Sequence, residues 1–252
     1  MRNEEREQNV AAGDSLLPVL PSYCNYMVDY TAPLAAASTR RLRVAQGLVL
    51  LFHATGFVGL AFSQDTSFYL RFTPLTLGLT ALLLLWFQPG RDASFWGFCL
   101  TVLLLGFGAE FVGVNTGKLF GHYTYGDTLG FKLFDQQPFS GVPPMIGLNW
   151  LVLTYLCGML VRYVPMGELA RILIAAMLMV GFDACLEPVA GRFDFWHWTA
   201  NLIPAQNFRD WFIFACVLQM LFNRTSFAKH NPLVPLVYLT QLLFFFALGA
   251  LK

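Results

Sequence analysis

The sequence has few charged residues and lacks several familiar catalytic motifs. Only 12% of its 252 residues are charged, against about 25% in an average soluble domain. No GxGxxG or P-loop string offers a phosphate cradle, and no GxSxG string indicates a hydrolase. No CxxC pair or clustered histidines predict a metal centre. The net charge of +1 leaves no basic excess for nucleic acid. These absences argue against nucleotide chemistry, metal catalysis and a nucleic-acid partner.

Apolar residues, by contrast, are abundant and form long runs. They make up 56% of the chain, and the mean hydropathy is +0.55. Most runs are long enough for a helix that crosses a hydrocarbon core of about 30 Å. We therefore predict an all-α fold, a polytopic membrane helix bundle with about seven transmembrane helices. The predicted spans are residues 43–63, 71–88, 94–115, 144–163, 168–187, 209–223 and 232–251.

Residues 1–42 precede the first span and are predicted to form a polar, interfacial arm, so that residues 43–252 make up the seven-helix membrane domain. With the N-terminus inside, ten Lys and Arg residues lie on the cytoplasmic side and six on the outer side. The positive-inside rule then favours a cytoplasmic N-terminus. We expect a multi-pass protein of the cell (inner) membrane, surrounded by membrane lipid.

Polar residues inside the spans are predicted to meet on one side of the membrane. Consecutive spans alternate in direction, so the ends of the third and fifth spans and the starts of the fourth and sixth face the same side. These segments carry nearly all the intramembrane polar groups: Glu110, Asn115, Asn149, Asp183, Glu187 and Asn207. Ionisable groups at this depth are costly, which makes them functional candidates.

Asp183 and Glu187 are the strongest catalytic candidates. Their spacing of four residues places both carboxyl groups on one helix face, and Pro188 is expected to end that helix. Two close carboxyl groups in a poorly solvated site do not ionise independently, so one holds a proton while the other is charged. The pair thus supplies an acid and a base. In the alternative, both residues have only structural roles: Glu187 forms an ion pair with Arg192, and Asp183 forms a hydrogen bond to a neighbouring helix.

Glu110 is the third catalytic candidate, and it lies among glycines that allow a helix or ligand to approach closely. Its structural alternative is a hydrogen bond to Asn149 or to a loop. His53, in the first span, is assigned to helix packing. Aromatic side chains cluster at the same membrane boundary, where an interfacial belt is the usual explanation. Some could instead line a slot for a long apolar molecule and stabilise a carbocation: Tyr123, Tyr125, Trp150, Trp196, Trp198 and Trp211.

A family resemblance is carried by two strings, GFGAEFVGVNTGKLFGHYTYGDTLGFKLFDQQPFSGVPPMIGLNWL and FDACLEPVAGRFDFWHWTANLIPAQNFRDWF. They contain E-x-x-G-x-x-T-G, FG-x-Y-x-Y and GVP, then D-x-x-x-EP-x-A and P-x-QN. The strings resemble the integral-membrane carotenoid biosynthesis family that includes γ-carotene 1′,2′-hydratase and bisanhydrobacterioruberin hydratase. The resemblance covers residues 100–215, whereas the first, second and seventh spans match only in hydropathy.

The resemblance implies a cofactor-independent enzyme that takes a carotenoid from the lipid phase and adds water across the terminal C1–C2 double bond of an acyclic ψ end. Protonation at C2 gives a tertiary cation at C1, which water captures. We assign Asp183 as the proton donor and Glu187 as the base that orients water, with exchange of the two roles left open. Glu110, with Asn115 and Asn207, would hold the water and the second carboxyl group. Asn149 and the six aromatic residues complete the expected substrate site, and association with other carotenoid pathway enzymes is also expected.

Three alternative functions remain open. A carotenoid cyclase also begins by protonating a polyene, but an internal double bond rather than water traps the cation. A non-catalytic carotenoid or lipid carrier would bind its ligand unchanged, and a small proton-coupled transporter would use the carboxylates to move protons. Product mass separates these functions, because hydration adds one water, cyclisation leaves the mass unchanged, and a carrier or transporter releases its ligand intact.

Overall fold

The structure is a computed structural model that describes residues 39–251. The helices of this range are α1 (Thr39–Phe62), α2 (Thr66–Leu70), α3 (Thr73–Phe87), α4 (Ala93–Thr116), α5 (Pro144–Val161), α6 (Glu168–Ala190), α7 (Ala205–Arg224) and α8 (Val234–Ala250). Two short strands, β1 (Tyr123–Tyr125) and β2 (Trp196–Trp198), lie in the long connections. Most of the predicted N-terminal arm lies outside the described residues, and so does the N-terminus whose orientation the charge count predicts.

The long helices form a membrane helix bundle, as the sequence predicts. Within residues 39–251, five helical segments are long and apolar enough to cross a membrane, and α8 is a shorter apolar helix. The five are α1, the segment Thr66–Phe87 that joins α2 to α3, α4, α5 and α6. The more polar α7 packs against α6 and buries the side chains of Asn207 and Gln219. The described part of the chain is therefore all-α apart from one small ribbon.

Local sequence signals set several helix ends. A proline lies in the first turn of α3, α5 and α8, where its missing N–H costs no helical hydrogen bond. Asp92 caps α4 by accepting a hydrogen bond from the Phe95 backbone N–H at 2.9 Å, and Gly117 ends the same helix at a φ of 64°. Pro188 does not end α6 as predicted. The helix continues two residues beyond it, to Ala190.

The two long connections meet in an antiparallel ribbon. β1 pairs with β2 so that Tyr123 lies opposite Trp198 and Tyr125 lies opposite Trp196. Successive residues of a strand point to opposite faces, so these four aromatic side chains share one face of the ribbon. That face is turned toward the ends of α4 and α6.

Small residues let the central helices approach closely. α4 packs against α5, and a Cβ atom added to Gly106 would lie 2.5 Å from the Cβ atom of Trp150. Close approach at small residues is a common basis of helix association in membranes, where apolar burial alone gives little driving force. The contact at Gly106 places Trp150, which is fully buried, at the centre of the bundle.

We expect Gly106→Val to destabilise the bundle, because the clash involves a backbone-proximal atom of Trp150 that cannot rotate away. Overpacking of this kind costs about 1–3 kcal/mol. Gly108→Val is the matched control, since a Cβ atom at this position of α4 meets no atom within 4 Å. Thermal unfolding in detergent should show a lower midpoint for Gly106→Val than for Gly108→Val. Equal midpoints would refute this account of the α4–α5 contact.

Candidate active site

Glu110, near the end of α4, is buried and is held by three donors. The hydroxyl groups of Tyr123 and Tyr125 donate to its Oε2 atom at 2.5 and 2.6 Å. The indole N–H of Trp150 donates to Oε1 at 2.7 Å. The strand β1 and the helix α5 therefore both anchor to this carboxyl group.

Asp183 and Glu187 lie one helical turn apart on α6 and share a partner on α7. The side-chain amide of Asn207 donates to Asp183 Oδ2 at 2.9 Å and to Glu187 Oε1 at 3.1 Å. Glu187 Oε2 accepts two further hydrogen bonds, from the indole N–H groups of Trp196 at 3.3 Å and Trp198 at 2.8 Å. All three residues of the Asp183–Asn207–Glu187 group are buried.

The ribbon covers the carboxyl groups with aromatic side chains that are also hydrogen-bond donors. Its tyrosines bind Glu110 and its tryptophans bind Glu187. Burial raises the pKa of the Tyr123 and Tyr125 hydroxyls well above the usual range, and the nearby Glu110 carboxylate raises it further. Both tyrosines therefore remain protonated donors at neutral pH.

The three carboxyl groups differ in how many donors they have. Glu110 and Glu187 each accept three hydrogen bonds, which favours a charged carboxylate. Asp183 accepts one, and its buried Oδ1 atom has no hydrogen-bond partner among residues 39–251. The described ion pairs include none of the three. An anionic Asp183 would thus be poorly compensated, whereas a protonated one keeps an O–H group that no described residue uses.

Two adjoining cavities lead to these groups. A small pocket of about 20 Å³ is lined by all three carboxyl groups. A much larger, mainly apolar cavity of about 390 Å³ lies between α1, α3, α6 and α8. The walls of the two cavities share Ile146, Asn149 and Trp196, so these three residues mark the junction.

The large cavity has exposed side chains in its outer wall. Thr55 comes from α1, and Phe68 and Phe72 come from α2 and the turn after it. Phe68 is 49% exposed and Phe72 is 43% exposed, which indicates an opening between α1 and α2. The small pocket that holds the carboxyl groups therefore adjoins a larger, mainly apolar cavity that opens at the protein surface.

The comparison with known protein families concerns the part of the chain that contains this site. The profile of the carotenoid biosynthesis protein family matches residues 72–251, which includes every residue of the small pocket. The chain belongs to this family. It is similar to bisanhydrobacterioruberin hydratase from Haloarcula japonica, with 31% identity over 135 residues. That alignment covers 50% of this chain and 44% of the relative, so the chain matches less than half of the relative's length. No solved structure matches the chain.

The structure brings the predicted site residues together around the small pocket, with one exception. Ten of them line the small pocket: Glu110, Tyr123, Tyr125, Asn149, Asp183, Glu187, Trp196, Trp198, Asn207 and Trp211. Trp150 lies beside them, hydrogen-bonded to Glu110 and stacked on Trp211 with ring centroids 4.0 Å apart. All of the aromatic members except Trp198 are buried, and Trp198 is partly buried, so they are not a simple interfacial belt.

Asn115 is the exception, because the structure places it outside the small pocket. Its side chain exchanges hydrogen bonds with the backbone of Ser140, at 2.8 and 3.2 Å, and donates to Phe111 O at 2.9 Å. Asn115 follows Glu110 by five residues, which is about 500° around a helix and hence about 140° from the Glu110 face. It fastens the connection after α4 instead of facing the carboxyl groups.

The structural alternative in which Glu187 pairs with Arg192 is also wrong. Arg192 donates to the backbone carbonyl groups of Leu248 and Leu251 at the end of α8, at 2.9 and 2.6 Å. The alternative that hydrogen-bonds Asp183 to a neighbouring helix is correct, since Asn207 belongs to α7. For Glu110, two of the three donors are the tyrosines of β1, which lies in the connection after α4 as its alternative proposed, and the third is Trp150 of α5.

The large cavity was not among the sequence-based predictions. Its wall draws on α1, α3 and α8, the helices whose sequences resemble the family only in hydropathy. The sequence contained one signal of this cavity: polar residues such as His53 and Gln241 interrupt otherwise apolar runs. Within residues 39–251, no group of three or more His, Cys, Asp or Glu side chains is arranged to hold a metal ion.

Proposed function

We propose that the protein is a carotenoid 1,2-hydratase, which adds water across the terminal C1–C2 double bond of an acyclic ψ end. The observation that carries this proposal is the contrast between Asp183, with one donor and an unused oxygen atom, and Glu187, with three donors. Acid and base thus stand side by side at the end of an apolar cavity. The match to the carotenoid biosynthesis family and the similarity to a relative named as a hydratase support a carotenoid-modifying hydratase.

The first step is proton transfer from Asp183 to C2. The π electrons of the C1–C2 bond form the new C–H bond, so the carboxyl group becomes a carboxylate and C1 becomes a tertiary cation. A buried, poorly solvated acid is suited to this transfer, since water does not compete for its proton. Asn207 then stabilises the new Asp183 carboxylate through the hydrogen bond that is already in place.

The second step is capture of the cation by one water molecule. The water oxygen forms a bond to C1 while Glu187 accepts a proton, which gives a tertiary alcohol. The small pocket, at about 20 Å³, has room for about one water molecule. Transfer of the proton from Glu187 back to Asp183 restores the starting state, so the net change is addition of H₂O. No cofactor takes part in these steps.

The surrounding side chains stabilise the cation and orient the water. Trp196 and Trp198 line the small pocket and donate their indole N–H groups to Glu187, and their π faces could attract the cation. Asn149 lies where the two cavities meet and can bind water there. Glu110 contributes a negative charge and anchors the ribbon, rather than holding the water together with Asn115 as the sequence suggested.

The substrate is proposed to enter from the lipid phase through the opening between α1 and α2. A cavity of about 390 Å³ lies toward the lower end of the range for small-molecule sites, which is about 300–1,000 Å³. It therefore holds one end of a long carotenoid while the rest stays in the bilayer. We also propose a multi-pass protein of the cell membrane with a cytoplasmic N-terminus, in contact with other enzymes of the pathway.

Expression in a lycopene-producing bacterium tests the proposed function. We expect pigments heavier than lycopene by one water per reacted end, and growth in H₂¹⁸O should place the heavy oxygen in the product. Mass spectrometry of extracted pigments measures both effects. A strain that expresses Asp183→Asn at the same level is the control. A new pigment of unchanged mass would indicate a cyclase instead, and unaltered lycopene would favour a carrier or transporter.

A further inference from the structure

Ten of the twelve residues that line the small pocket are buried, and the other two reach different surfaces. Asn149 is partly exposed and also lines the large cavity, so it belongs to the junction of the two cavities. Trp198 is partly exposed but takes no part in the wall of the large cavity. Trp198 therefore joins the small pocket to the protein surface at a second place.

The surface around Trp198 is polar, unlike the wall of the large cavity. His197, on the outer face of the ribbon, is hydrogen-bonded to the Asp194 carboxylate at 2.7 Å, and both side chains are about half exposed. Thr199 follows Trp198, is exposed, and donates through its hydroxyl group to the His122 carbonyl oxygen at 3.0 Å. Exposed polar groups are costly in hydrocarbon, which indicates that water covers this edge of the pocket.

The Trp198 side chain is held across this edge by one polar and two apolar contacts. Its indole N–H donates to Glu187 Oε2 at 2.8 Å, and its ring lies 5.1 Å from the ring of Tyr123 between centroids. A Cβ atom added to Gly121 would lie 3.2 Å from the Cζ3 atom of Trp198, so the backbone of this loop also packs closely on the ring. One part of Trp198 thus binds the proposed base while another part is exposed.

We infer that Trp198 determines the nucleophile of the reaction, because it admits water to Glu187 from the polar surface and excludes larger alcohols. This inference rests on the proposed function, in which Glu187 takes a proton from water. The small pocket, at about 20 Å³, has room for about one water molecule. The two substrates then arrive by separate routes, the polyene through the large cavity past Asn149 and the water past Trp198.

Competition between water and methanol tests this role, because methanol is larger than water by one methylene group. The methanol oxygen would bond to C1 while its hydroxyl proton passes to Glu187, which gives a methyl ether in place of the alcohol. A pocket discriminates one methylene group by about 10- to 200-fold, so Trp198→Ala should raise the ratio of ether to alcohol at least about tenfold above wild type. Mass spectrometry of pigments from membranes supplied with lycopene and methanol measures this ratio.

Two control variants separate the bulk of Trp198 from its hydrogen bond. Trp198→Phe keeps an aromatic ring without the N–H donor and should leave the ratio close to wild type. Trp196→Ala removes the other indole donor to Glu187 Oε2 at a buried position, and it should also leave the ratio close to wild type. The ratio is compared instead of the rate, because every one of these variants removes a donor to the base.

The outcomes distinguish this inference from the proposed function. If the wild type makes the alcohol, an unchanged ratio in Trp198→Ala, or an equal rise in Trp196→Ala, would overturn the role of Trp198 alone. If the wild type makes neither alcohol nor ether from lycopene, the proposed function fails.

Thiol labelling tests the water route without relying on turnover. Trp198→Cys and Trp196→Cys are made in the full chain with its five native cysteines replaced by alanine. In open membrane fragments, a charged thiol reagent that does not cross lipid should label Trp198→Cys but not Trp196→Cys. His197→Cys, on the exposed outer face of the ribbon, is the positive control. Labelling of Trp196→Cys without labelling of Trp198→Cys would overturn the inference, since water would then reach the carboxyl groups by another route.

Discussion

Replacing Asp183 by asparagine is expected to abolish hydration while leaving folded protein in the membrane. The variant keeps the size of the side chain and can still accept the hydrogen bond from Asn207, but it has no acidic proton for C2. General acid–base groups contribute about 100- to 10,000-fold to rates, so we expect a loss of about 1,000-fold. Turnover in isolated membranes, at matched protein levels, measures this loss.

Glu168→Gln is the control for this experiment. Glu168 lies at the exposed start of the same helix, so the variant makes the same kind of charge-removing change on α6 outside the site. It should retain wild-type turnover. If Asp183→Asn retained turnover within tenfold of wild type, which is about 1.4 kcal/mol in the barrier, Asp183 would not be the proton donor.

Glu187→Gln is expected to lower hydration by about 100-fold or more, but at a different step. Asp183 can still protonate the substrate, whereas the water that attacks C1 loses its base. The cation then returns to the alkene by losing a proton. In D₂O, substrate recovered from Glu187→Gln should therefore contain deuterium, and substrate recovered from Asp183→Asn should not. Mass spectrometry of the recovered substrate measures the exchange.

This comparison also resolves which carboxyl group is the acid. If the substrate recovered from Asp183→Asn contained deuterium and the substrate recovered from Glu187→Gln did not, Glu187 would be the acid and Asp183 the base. Deuterium in neither sample would contradict reversible protonation by this pair. Both variants should be compared at equal amounts of folded protein, because Glu187 also accepts hydrogen bonds from two tryptophans of the ribbon.

Much of the bundle and of the carboxyl cluster could be predicted from the sequence, because both follow from regular geometry. The length of an apolar run indicates a membrane-spanning helix, and alternating span directions bring Glu110 to the same side as Asp183 and Glu187. The four-residue spacing of the last two fixes their shared face. These arguments need only local periodicity and chain direction.

The remaining parts of the site depend on long-range contacts that local patterns do not encode. The register of β1 on β2 decides that Tyr123 and Tyr125 bind Glu110 while Trp196 and Trp198 bind Glu187. The sequence indicated only that these rings cluster at one boundary. Asn115 is close to Glu110 along the chain, which suggested a shared site. The rotation of the helix between the two residues instead turns Asn115 toward Ser140.

The central claim is that Asp183 holds a proton while Glu110 and Glu187 are charged. Infrared difference spectroscopy of the resting protein tests this claim most directly. The account predicts a carbonyl band of a protonated carboxylic acid in the wild type and in Glu187→Gln, and its loss in Asp183→Asn. A wild-type spectrum without that band, or a band that is unchanged in Asp183→Asn, would contradict it.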